Sequence, residues 1–218
     1  MIPNLLFYLY LLLLLSGFAY GLINLKRLRW PLRLLCGFLG FVFLMESATH
    51  LCAVYFQHNL FMSHFTNMGS IVFYTLIFHN LLSGYWRWIT LLLGAVAFSG
   101  SVLETLKSFM GFAELGVTLL SFQVLLLCIV LFAQMLKHPV NISLRHQYQF
   151  WFATGSLVFY SVTFPFFMFY QFTLADNFKE LNDLGYHVLR TLNFVMYGCY
   201  LYALIVAVNA SKRAYAGR

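Results

Sequence analysis

The sequence predicts an all-α integral membrane bundle of seven transmembrane helices, with the N-terminus outside and the C-terminus cytoplasmic. Three observations carry that expectation. Hydrophobic residues make up 62% of the 218 and charged residues only 9%, whereas a soluble domain holds about 45–50% and about 25%. Seven apolar stretches each approach the roughly 20 residues that a spanning helix needs. Ten of the 13 Lys and Arg residues fall on one side of those stretches, which orients the chain by the positive-inside rule.

The spans are expected at about 3–24, 33–56, 60–82, 88–106, 110–136, 149–173 and 184–209, and they leave no room for a separate soluble domain. The first lacks the basic start and small-residue cleavage site of a signal peptide, so it reads as helix one. Between spans one and two lie Lys26, Arg27 and Arg29, with Arg33 at the start of span two. Arg87, Lys137 and Arg145 mark the third and fifth loops as cytoplasmic, and Lys212, Arg213 and Arg218 mark the tail. Trp30, Trp86, Trp88 and Trp151 sit at the same ends, where an aromatic belt belongs. The connection Lys137-His138-Pro139 suits a helix stop. Pro165 falls within span six, where it frees the carbonyl of Ser161 and predicts a kink, with Ser161 or Thr163 re-satisfying the backbone. The connection 175–185, with Asp176, Glu180 and Asp183, predicts a small acidic cap over the outer mouth.

The net charge of +7 follows from the loop bias. The basic residues form no stripe, which argues against nucleic acid and for contact with membrane lipid headgroups. The four cysteines, Cys36, Cys52, Cys128 and Cys199, all fall in spans, match no disulfide or zinc spacing and read as small packing residues. No internal repeat is evident, so the inverted-repeat signature of many transporters is missing.

Ionisable side chains inside the spans carry the functional reading, because polar groups at that depth face a bundle interior or a wet cavity. Glu46 and His50 lie four residues apart on one face of helix two, about 15 Å and about 9 Å below the outer boundary. Thr49 and Ala53 share that face. His64, Asn67 and Tyr74 form a stripe on helix three, and His187, Arg190, Asn193 and Tyr197 another on helix seven. Glu104 and Glu114 lie nearer the outer interface, where solvation suits them. Two uses fit. Glu46, His50, His64 and His187 match a site for zinc or another divalent transition metal, with Glu46 and His64 as the catalytic pair. Alternatively Arg190 pairs with Glu46 or Glu104 in a ligand clamp, with Asn193 and Asn67 as further contacts.

At these residues the chain resembles the seven-helix metal hydrolases that include alkaline ceramidases and the progestin and adipoQ receptors. That superfamily carries Ser-x-x-x-His on helix two, Asp on helix three and His-x-x-x-His on helix seven. Here helix two reads Glu46-Ser47-Ala48-Thr49-His50, helix three offers His64, and helix seven reads His187-Val188-Leu189-Arg190-Thr191. The resemblance implies cleavage of a lipid amide by metal-bound water. Helix seven lacks the lysine of a retinal-binding opsin. The expectations are therefore a metal-dependent membrane-embedded hydrolase, or a receptor-like sensor that binds a small-molecule or lipid ligand and signals through a membrane partner or homo-oligomer. A proton-coupled transporter and a structural subunit stand behind these. The expected location is the inner membrane of a bacterium.

Overall fold

The computed structural model describes residues 2–56, 59–137, 143–169 and 179–216. They form seven α-helices: α1 Ile2–Ile23, α2 Trp30–Phe56, α3 Met62–Leu81, α4 Trp86–Lys107, α5 Glu114–Lys137, α6 Tyr148–Met168 and α7 Lys179–Ala216. Short 3-10 turns at Leu25–Arg27 and Leu144–His146 precede α2 and α6. Five helical stretches, in α2, α4, α5, α6 and α7, are long and apolar enough to cross a membrane, and they mark the chain as an integral membrane protein. α1 is a further apolar helix, of 22 residues. In α3, His64, Asn67, Ser70 and Thr75 are buried, while Asn80 near its end is exposed.

Neighbour contacts close α1, α2, α3, α5, α6 and α7 into a ring, while α4 packs outside it in the groove between α3 and α5. Small residues bring the backbones close, as membrane helices require in the absence of a hydrophobic drive between them. A Cβ on Gly21 of α1 would lie 2.6 Å from the Cys36 sulfur of α2, and one on Gly40 of α2 would lie 2.6 Å from the Phe18 ring of α1. On the far side, Gly155 of α6 approaches Cys199 and the Met196 carbonyl of α7. All four cysteines are free, with Cys36 and Cys128 buried.

The helix ends follow local chemistry. Pro31 stands in the first turn of α2, where its missing N–H costs nothing. Gly84, at φ +64°, makes the turn between α3 and α4, a conformation other residues resist. His79 and Arg87 staple that turn reciprocally: the Arg87 Nε–H donates to the His79 carbonyl at 3.1 Å, and His79 Nδ1 lies 3.0 Å from the Arg87 carbonyl. Gln134 of α5 does the same with the backbone of Ser83. The Trp151 indole donates to the Arg145 carbonyl and ties the second 3-10 turn to α6.

Two expectations change. Pro165 lies in the final turn of α6, which ends at Met168, so it helps to terminate the helix and does not kink its middle. The Ser161 and Thr163 hydroxyls donate to the carbonyls of Val158 and Phe159, and neither serves the carbonyl freed by the proline. From Lys179 onward the expected acidic cap is already helix, so α7 extends for about 57 Å, well beyond a hydrocarbon core of about 30 Å. Asp176 and Pro139 lie outside the described residues.

Candidate functional site

The ends of α1, α2, α6 and α7 enclose two adjoining cavities. The larger, of about 540 Å³, is lined by Phe7, Tyr10, Glu46, Phe112, Phe159, Phe167, His187, Leu189, Arg190 and Asn193. The smaller, of about 230 Å³, is lined by Phe7, Glu46, Thr49, His50, Ala53, Asn59 and Arg190. Phe7, Glu46 and Arg190 border both. The helical repeat sets each contribution: Glu46, Thr49, His50 and Ala53 share one face of α2, and His187, Arg190 and Asn193 recur every three residues along α7.

Glu46 is half-buried, and the Tyr10 hydroxyl donates to its Oε1 at 3.3 Å. Arg190 of α7 borders the same two cavities as this carboxylate. The His50 ring packs on Phe7, centroids 4.8 Å apart, so its position is set by an aromatic contact with α1. Tyr10 in turn meets Tyr197 of α7 edge-on at 5.7 Å. Behind it the Tyr200 hydroxyl touches both the Tyr74 hydroxyl and the Ser156 hydroxyl at 2.6 Å. Tyr10, which lines the larger cavity, thus adjoins a buried layer of phenols that joins α1, α3 and α7 and reaches Ser156 of α6.

Three of the expected site residues belong elsewhere. His64 is fully buried against the turn between α4 and α5. Its Nε2 lies 3.1 Å from the Ser108 carbonyl and 3.2 Å from the Gly111 carbonyl, so that nitrogen carries the hydrogen; Nδ1 lies 3.1 Å from the Thr105 hydroxyl. Both nitrogens are engaged, and the ring holds a turn. Asn67 donates to the Ala113 carbonyl at 3.3 Å in the same cluster. Glu104, expected to be solvated or paired with Arg190, instead accepts the backbone N–H groups of Leu115 and Gly116 at 2.7 and 2.8 Å. Those donors have no intrahelical partner at the start of α5, and the helix dipole favours a carboxylate there.

His64 is thus separated from Glu46, His50 and His187. Among the described residues no three His, Cys, Asp or Glu side chains gather as a metal group. Each cavity offers Glu46 and one imidazole, His50 in the smaller and His187 in the larger, which falls short of the three protein donors typical of a catalytic zinc site.

The sequence did not reveal the α1 contribution, Phe7 and Tyr10, or the phenylalanine wall from α6 and the α4–α5 turn. The signal for Tyr10 was present only as a phenol inside an otherwise uniform apolar helix. Compared with protein-family models, with curated proteins and with solved structures, the chain matches none.

Proposed function

We propose that this chain is a seven-span membrane protein, N-terminus outside and C-terminus cytoplasmic, that works as a receptor-like sensor. It takes a small ligand into the outward-facing cavity between α1, α2, α6 and α7 and passes the change to a membrane partner. The observation that carries this reading is Glu46 and Arg190 bordering one cavity of about 540 Å³, a volume inside the roughly 300–1,000 Å³ of small-molecule sites. Opposite charges placed on an apolar wall cost free energy when unused, which favours a ligand role over packing. The α6–α7 pair forms part of the wall and also shares the tight Gly155 seam and the Tyr200–Ser156 bond. Occupancy therefore bears directly on how those two helices meet.

A metal-dependent hydrolase at the same place is the competing proposal, supported by Glu46, His50 and His187 bordering the two adjoining cavities. Two measurements test the reading, the first its orientation and the second its separation from the hydrolase. In intact cells, a membrane-impermeant thiol reagent should modify Ala53→Cys in a Cys52→Ser background; reaction only after permeabilisation would reverse the orientation. Elemental analysis of the purified wild-type chain should find no stoichiometric transition metal. A near-stoichiometric metal, lost in His50→Ala/His187→Ala, would replace the sensor with the hydrolase.

A further inference from the structure

We infer that the cavity takes a single-chain zwitterionic amphiphile, its head between Glu46 and Arg190 and its chain among the phenylalanines. The inference rests on the ligand-pocket reading above and names the ligand class.

Two cavities of different character meet at the charged pair. On one side Thr49, His50 and Asn59 offer a hydroxyl, an imidazole and an amide. On the other, Phe112, Phe159, Phe167 and Leu189 offer hydrocarbon and aromatic contact. A wholly polar ligand would leave that aromatic wall against water. A wholly apolar one would strip water from a carboxylate and a guanidinium and return nothing to them. A molecule with a polar head and one alkyl chain satisfies both halves.

The charges define the head. Tyr10 donates to Oε1 of Glu46, and among the described residues no second donor reaches that carboxylate, which leaves it open to a cation. Arg190 is exposed, carries five N–H donors and has no hydrogen-bond acceptor among the described residues. It is suited to a phosphate or carboxylate in the bidentate manner. A head with an ammonium and an anion a few atoms apart pairs with both. The volume of about 540 Å³ has room for one chain and not for a diacyl lipid.

The test uses the purified full chain in lipid nanodiscs and three probes of equal chain length: an alkyl phosphocholine, an alkyl phosphate and an alkyl trimethylammonium. Native mass spectrometry counts bound probe, and the labelling rate of Ala53→Cys in the Cys52→Ser background reports access to the cavity. One phosphocholine should bind per chain and slow labelling, with each singly charged analogue at least about tenfold weaker, the size of a lost charge-assisted hydrogen bond. Glu46→Gln should weaken the phosphocholine and the cation but not the phosphate; Arg190→Gln should do the reverse for the two analogues. Because Arg190 is exposed, its variant keeps the fold and carries the test alone if Glu46→Gln misfolds. Equal binding of phosphate and phosphocholine, with Glu46→Gln silent, overturns the zwitterion and leaves the pocket reading standing. Binding of none of the three also overturns the inference. The pocket reading fails separately, and only if Ala53→Cys proves unreactive in folded protein.

Discussion

The phenol oxygens of Tyr74 and Tyr200 lie 2.6 Å apart, and Tyr200 also reaches the Ser156 hydroxyl at 2.6 Å, so one side chain of α7 holds α3 and α6 together. Tyr74 and Tyr200 are fully buried. Tyr200→Phe removes the hydroxyl that Tyr74 and Ser156 both reach, although Ser156 keeps its bond to the Phe152 carbonyl, and should lower stability by about 1–3 kcal/mol. Tyr74→Phe should cost less, because Tyr200 keeps Ser156. The double variant should fall short of the sum of the two, as expected of groups in one network. Unfolding in mixed micelles, followed by circular dichroism, measures all three.

Glu104 caps α5 across the turn that follows its own helix. Glu104→Ala removes the acceptor for both Leu115 and Gly116 and should cost about 1–2 kcal/mol, while Glu104→Gln keeps one acceptor and should cost less. Thermal unfolding of the three proteins side by side checks the order. An unchanged midpoint in Glu104→Ala would refute the cap.

His64 is assigned to the α4–α5 turn, and that assignment separates from a catalytic or metal role in a simple way. His64→Ala should lower the unfolding midpoint and speed proteolysis within 108–113, because the carbonyls of Ser108 and Gly111 lose their donor. Amphiphile affinity should not change. A variant of normal stability that had lost ligand or metal would return His64 to the site.

Gly155 admits a close approach of α6 to the backbone of α7. A Cβ there would sit 2.7 Å from the Cys199 Cβ and 3.1 Å from the Met196 carbonyl. Backbone cannot yield as a flexible side chain can. Gly155→Val should therefore destabilise by about 1–3 kcal/mol through overpacking. Because Tyr200 lies on the same stretch of α7, the variant should also loosen the phenol layer, seen as faster hydrogen exchange in α7.

The sequence made the helices and much of one wall legible, because both depend on local spacing. Glu46, Thr49, His50 and Ala53 come from consecutive turns of α2, so the face they share needs no knowledge of the neighbours; Arg190 and Asn193 follow the same logic on α7. What spacing cannot report is the azimuth of one helix against another, since a single residue turns a face by about 100°. His64 and Asn67 share the expected stripe on α3, yet that stripe looks toward the α4–α5 turn and not toward Glu46. Depth along α4 is all that the sequence offers for Glu104. Its partners are backbone N–H groups 11 and 12 residues later, a relation that exists only once Ser108–Ala113 turns back. Tyr10 was hidden for a further reason: in a helix apolar all round, one phenol gives no direction.

The ring has a consequence for biosynthesis. Its closing contact joins α1 to α7, the first of the seven helices to leave the ribosome and the last. Until α7 arrives, Glu46 stands beside Tyr10 without the opposing guanidinium, and Tyr74 and Ser156 wait without Tyr200. A nascent chain stalled after α6 should be held by the insertion machinery and cleared by membrane proteases if released, and no partial product should bind ligand.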